Sequence, residues 1–66
     1  MFVELNTRED AGYTISLEWD RDTDQTQIVV ADARDASLLV FPVPGPSAGD
    51  AFRDPFGYAP APGNRS

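Results

Sequence analysis

Three aspartates at alternate positions, Asp20, Asp22 and Asp24, hold the most chemical promise in this 66-residue chain. Alternate carboxylates converge on a hard cation at the start of an EF-hand calcium loop. That loop also needs a glycine for its sharp turn and, further on, a bidentate glutamate. Here those positions hold Gln25 and Ala31, so roughly six to eight oxygen ligands cannot be gathered in the usual way. The pattern reads instead as a connection built from turn-forming aspartate, and neither a bound metal nor a cofactor is expected.

The other carboxylates offer no better start. A hydrolase built on paired acids needs two of them in one cleft with divergent pKa values. Glu4, Glu9, Glu18, Asp32, Asp35 and Asp50 are spread over edges, loops and a polar strand face. The chain has no His, no Cys and no Lys, which removes the ordinary general bases and covalent nucleophiles. Ser16, Ser37 and Ser47 therefore have nothing to activate them. The five glycines are scattered, and none follows a strand at the spacing of a phosphate loop. We expect no enzymatic activity.

The elements that would position these residues are mainly strands. From Tyr13 to Asp20 apolar and polar residues alternate strictly, the period of a strand with one buried face. Arg21-Asp22-Thr23-Asp24 interrupts the alternation, and Gln25 to Asp32 resumes it with the β-branched run Ile28-Val29-Val30. A four-residue loop sets Asp20 opposite Gln25, Leu17 opposite Ile28 and Ile15 opposite Val30, so the large apolar residues meet on one face. A third strand, Ser37 to Val43, follows a connection centred on Arg34-Asp35, which sets Val30 against Leu39 and Ile28 against Phe41. The core face is then Tyr13, Ile15, Leu17, Trp19, Ile28, Val30, Leu39, Phe41 and Val43.

Upstream, Phe2 to Leu5 suits a short strand, and Asn6 to Gly12 has the polar composition of a connection. Downstream, Pro44-Gly45-Pro46 ends the sheet, since proline cannot donate to a ladder. Ser47 can cap a short helical turn over 48–53, with Asp50 in its first turn, and Pro55 ends that turn. Phe52, Phe56 and Tyr58 are costly to expose together, and we expect this segment to pack back over the core face. The fold class expected is mainly β: a three- or four-stranded antiparallel meander with a short C-terminal helical turn and an aromatic segment on one face. It occupies residues 1–58, and 59–66 read as a disordered tail rich in Pro, Ala and Gly.

Eleven acidic against five basic residues give a net charge of −6, a field that repels phosphate backbones and anionic lipid surfaces. Direct nucleic-acid or membrane binding is not expected. No run of apolar residues is long enough to span a bilayer, and Met1-Phe2-Val3-Glu4 lacks the features of a secretory signal, so a cytoplasmic location is the default. All five basic residues are Arg, a bias that points to a GC-rich coding sequence.

Several blocks, Thr23-Asp24 and Asp32-x-Arg34 among them, carry a resemblance. Glu4-Leu5-Asn6-Thr7-Arg8-Glu9 with Gly12 and Leu17-x-Trp19-Asp20, and Asp50-Ala51-Phe52-x-x-Pro55-Phe56-x-Tyr58-Ala59, look like a group of short uncharacterised actinobacterial proteins. That group often has His before the proline, where this chain has Asp54. The resemblance implies a small cytosolic bacterial protein and brings no activity with it.

A protein of this size buries only about 60% of its unfolded surface and needs a supplement to its core. Without cysteines or a metal, that supplement is association. The register leaves Val29, Leu38 and Val40 on the face away from the core. Either the N-terminal segment, through Phe2, Val3 and Leu5, wraps this patch, or a second copy meets it about a two-fold axis. The functional expectation is a non-enzymatic interaction or regulatory module, with a homodimer favoured and Val29, Leu38, Val40 and Phe2 as its surface. Two rivals are an acidic inhibitor that mimics nucleic acid on a basic partner, and a small-molecule binding sheet walled by Trp19, Phe52, Phe56 and Tyr58.

Overall fold

The computed structural model describes residues 1–58; the expected tail, 59–66, lies outside the described residues. Four strands, β1 (Phe2–Asp10), β2 (Tyr13–Asp20), β3 (Gln25–Asp32) and β4 (Ser37–Val43), form an antiparallel meander in the order β1-β2-β3-β4. A 3-10 turn, Gly45–Ser47, leads into two short helices, α1 (Ala48–Arg53) and α2 (Pro55–Tyr58).

The registers of the two central pairings follow from alternation and loop length. Leu17 faces Ile28, Ile15 faces Val30 and Asp20 faces Gln25 across β2 and β3. Ile28 faces Phe41 and Val30 faces Leu39 across β3 and β4. Both connections are four-residue loops whose last residue takes a positive φ, Asp24 at 60° and Ala36 at 61°, which returns the chain antiparallel without splaying the strands. In the first of them the Asp24 N–H donates to the Asp20 carbonyl at 2.7 Å.

The N-terminal strand corrects the sequence expectation. Asn6 to Asp10 is strand rather than connection, and the turn shrinks to Ala11-Gly12. Both turn residues have positive φ, 52° and 89°, as the tightest hairpin turn demands. The register slips between Glu4 and Asn6, leaving Leu5 as a bulge. Past that bulge Asn6 faces Leu17 and Arg8 faces Ile15, so polar residues stand on the core face where apolar ones would mark a strand.

The core lies between the sheet and α1. Ile15, Ile28, Val30, Phe41 and Val43 from the sheet pack with Ala48 and Ala51, and all seven are buried. Small residues on α1 let it approach closely. At the rim Tyr13, Leu17 and Phe52 are partly buried against this cluster. Ser47 stands at the N-cap of α1, but its hydroxyl makes no capping bond. Asp54 leaves the helical region before Pro55, as the steric demand of proline requires, and Pro55 then opens α2 where its missing N–H costs nothing.

Arg8 ties β1 to the helix. Its Nε donates to the Phe52 carbonyl at 3.1 Å, and its Nη2 donates to the Phe52 and Arg53 carbonyls at 2.9 and 2.8 Å. Its guanidinium carbon lies 5.5 Å from the centroid of the Phe52 ring. The last carbonyls of a helix have no partner within it, and a cation there also complements the helix dipole.

Candidate interaction surface

The face of the sheet opposite α1 divides into two halves. On β1 and β2 it carries Thr7, Glu9, Thr14, Ser16 and Glu18, with the Thr7 and Ser16 hydroxyls 3.2 Å apart. On β3 and β4 it carries Val29 against Val40 and Ala31 against Leu38. Glu18 accepts from the Gln27 Nε2 at 2.7 Å where the two halves meet. Leu38 is 65% exposed and Val40 is 47% exposed, and Val29 is half-buried between strands.

Of the four residues expected to form one surface, three are brought together. Phe2 faces Asp20 on the same side of the sheet, but at the corner diagonal to Leu38. The N-terminal segment does not wrap the patch: it runs along β2 as an edge strand, and β2 and β3 lie between it and β4. Val3 and Leu5 are exposed.

The expected aromatic wall does not assemble either. Trp19 is half-buried and donates its Nε1–H to the Asp24 carboxylate at 2.9 Å. Phe52 lies under Arg8. Phe56 stands edge-on to Tyr13 with centroids 5.1 Å apart and remains 56% exposed, while Tyr58 is 42% exposed. The helical lid is thus made chiefly by Ala48, Ala51 and Pro55, all buried. Two shallow depressions, of about 300 and 230 Å³, are lined by residues 9–14 with Ala33 and by 24–26 with 42–45; neither includes Trp19, Phe52, Phe56 or Tyr58.

Two of the three aspartates share the Met1 amino group, Asp20 at 3.0 Å and Asp22 at 3.4 Å, while the third, Asp24, faces Trp19. Asp20 also takes the Asp22 N–H at 2.9 Å. These contacts hold the Asp20 carboxyl below its ordinary pKa, the amino-group hydrogen bond first and the Asp22 N–H second. Among the described residues no group of three or more His, Cys, Asp or Glu side chains is arranged to hold a metal. At the opposite end of the sheet Arg34 Nε and Nη2 grip Asp32 at 3.0 Å each, and Nη2 also reaches the Tyr13 hydroxyl at 2.9 Å. The Arg34 side-chain hydrogen bonds depress the Asp32 pKa, helped by the Arg34 N–H.

The second notable feature of the β3–β4 half is its border. β4 is the terminal strand of the sheet among the described residues, and no charged residue occurs between Asp35 and Asp50. Val29, Leu38 and Val40 thus abut a bare strand edge, and the signal for that edge in the sequence is this uncharged run, with Pro42 in its midst. Among the described residues no helix is long and apolar enough to cross a membrane. Comparison of the chain with protein-family models, with curated proteins and with solved structures returned no match.

Proposed function

We propose that this chain is a non-enzymatic protein-interaction module whose contact surface is the β3–β4 half of the open sheet face and whose partner is a second copy of itself. The observation that carries this reading is the pairing of Val29 with Val40 and of Ala31 with Leu38 on a face that nothing among the described residues covers. A lone small domain would place polar residues there, as β1 and β2 do. The small apolar core among the described residues supports the same reading, since in a chain without cysteines it gains from burying a second apolar surface. The acidic composition fits a soluble module of the cytoplasm, and the two depressions are open and shallow rather than enclosed.

Thermal unfolding at several protein concentrations tests the proposal. Association that accompanies folding raises the melting temperature as concentration rises, and an interface of apolar side chains keeps that dependence at high salt. A melting temperature independent of concentration contradicts the homodimer. A partner captured through charge, as an acidic mimic requires, is lost steeply as salt is raised.

A further inference from the structure

The two edges of the sheet are built differently. β1 carries Glu4, Arg8, Glu9 and Asp10 and is interrupted by the Leu5 bulge. Charges and bulges are the ordinary means by which an edge is kept from pairing with another chain. β4 has neither. Its sequence, Ser-Leu-Leu-Val-Phe-Pro-Val, contains no charged residue, and its pairing with β3 is regular from Ser37 to Val43.

Pro42 reveals which backbone groups of β4 face outward. It pairs with Gln27 inside the ladder, yet it has no N–H to donate, and a proline is accommodated in a strand where that position points to the free side of an edge. Hydrogen-bonding direction alternates along an antiparallel strand. Val40 and Leu38 therefore also turn their N–H and C=O groups away from β3. Among the described residues nothing pairs with these donors and acceptors, and the side chains that flank them are themselves exposed.

We infer, resting on the interaction reading above, that a second copy adds to β4 by antiparallel strand pairing about a two-fold axis normal to the sheet, making one continuous eight-stranded sheet. Charge favours this edge over the other: although the chain carries a net charge of −6, no charged residue lies from 36 to 49, so two β4 strands meet without opposing like charges. Two β1 strands would bring glutamates and Asp10 together. The outward groups also select a register. With Leu38 opposite the second copy's Val40, each residue of the pair both donates and accepts. A shift of two residues sets Leu38 against Pro42, which cannot donate.

That register explains a further exposed residue. Leu39 lies on the core side of the sheet but is 38% exposed, because α1 covers β2 and β3 and stops short of β4's outer flank. The two-fold axis passes at Leu39, so the two Leu39 side chains face each other in a pair without backbone bonds, where side chains approach most closely. On the other face the two Val29-Leu38-Val40 patches become neighbours and form one apolar stripe across the junction. One strand edge is a small interface, so the pairing is a reversible one.

Residue-resolved amide hydrogen exchange of the wild-type protein, dilute and concentrated, tests this together with the mass in solution. In the paired sheet the Leu38 and Val40 amides gain at least about tenfold protection on concentration. The Leu39 and Phe41 amides, bonded within the hairpin, start out protected and serve as the internal control. A dimer whose Leu38 and Val40 amides exchange freely would be one that meets face to face, which overturns strand pairing while leaving the interaction reading intact. Protection that does not change with concentration, the mark of an occupant within the same chain, overturns it as well. A single-chain mass at every concentration overturns both.

Discussion

The same three strands present two faces that share an alternation and differ in what lies on them. On one side Ile15, Ile28, Val30 and Phe41 are sealed by Ala48 and Ala51 of α1. On the other, Val29, Leu38 and Val40 come from the intervening positions of β3 and β4 and have no cover among the described residues. Hydrophobicity alone does not separate the two sets, since Val30 and Val29 are adjacent and of one type. Burial is assigned by the helix, and the helix is positioned by Arg8 on the far strand. An apolar face without such a lid is a surface still to be filled.

The sharpest break in this comparison comes from the covered face. Replacing Ile28 or Ile15 with alanine should cost about 2–5 kcal/mol, the range for emptying a packed aliphatic site, against a total stability of roughly 3–10 kcal/mol for a chain of this length. Leu17→Ala should fall at or below the lower end, because Leu17 is only half-buried. Denaturant titration checks the order. An Ile28→Ala midpoint equal to that of the parent would mean that the helix does not seal this face.

A smaller effect is expected where β1 holds the helix. Arg8→Ala removes three hydrogen bonds to the carbonyls of Phe52 and Arg53 and should cost about 1–2 kcal/mol. Arg8→Lys should recover only part of this, because an ammonium cannot span two carbonyls as a planar guanidinium does. On the open face, Val29→Thr should change the stability of a dilute sample by no more than about 0.5 kcal/mol, as surface substitutions do, in the same titration.

Why some of this was legible from the residues and some was not is a matter of which forces leave a period. Strict alternation from Tyr13 to Asp20 and loops of fixed length determine a register to the residue, and the pairings of Leu17 with Ile28 and of Ile28 with Phe41 followed directly. β1 escaped because the Leu5 bulge shifts its phase and because Arg8 fills a core-side position as a helix cap rather than as an apolar contact. The aromatic lid holds only in part: Phe52 packs against the core, while Ala48, Ala51 and Pro55 fill the rest and Phe56 and Tyr58 stay exposed. The apolar patch was legible, whereas Phe2's distance from it depended on the strand order, which alternation does not encode.

The mildest effect expected is a response to acid at the Tyr13 end of the sheet. Asp32 is held below its ordinary pKa of 3.8 by Arg34. Its folded-state pKa is the lower of the two, so its contribution is fully present above about pH 4 and is lost as the pH falls through the depressed value. Asp32→Asn should flatten this limb of the stability profile slightly and leave stability near neutral pH only modestly reduced, since the Arg34 side of the pair is open to solvent.

The central claim is that the uncovered face and edge of β4 receive a second copy of this chain. Sedimentation equilibrium of the wild-type protein and of Val40→Arg, over about micromolar to millimolar concentration, tests it most directly. Val40 is 47% exposed in a single copy, so an arginine there leaves the fold intact, but in the paired sheet it sets a charge against the second copy's Leu38 and diagonally across the axis from its own counterpart, inside an apolar stripe. The account predicts two chains for the wild type at the upper end of the range and one chain for the folded variant throughout. A wild-type mass of one chain at every concentration, or a variant that associates as the wild type does, would contradict it.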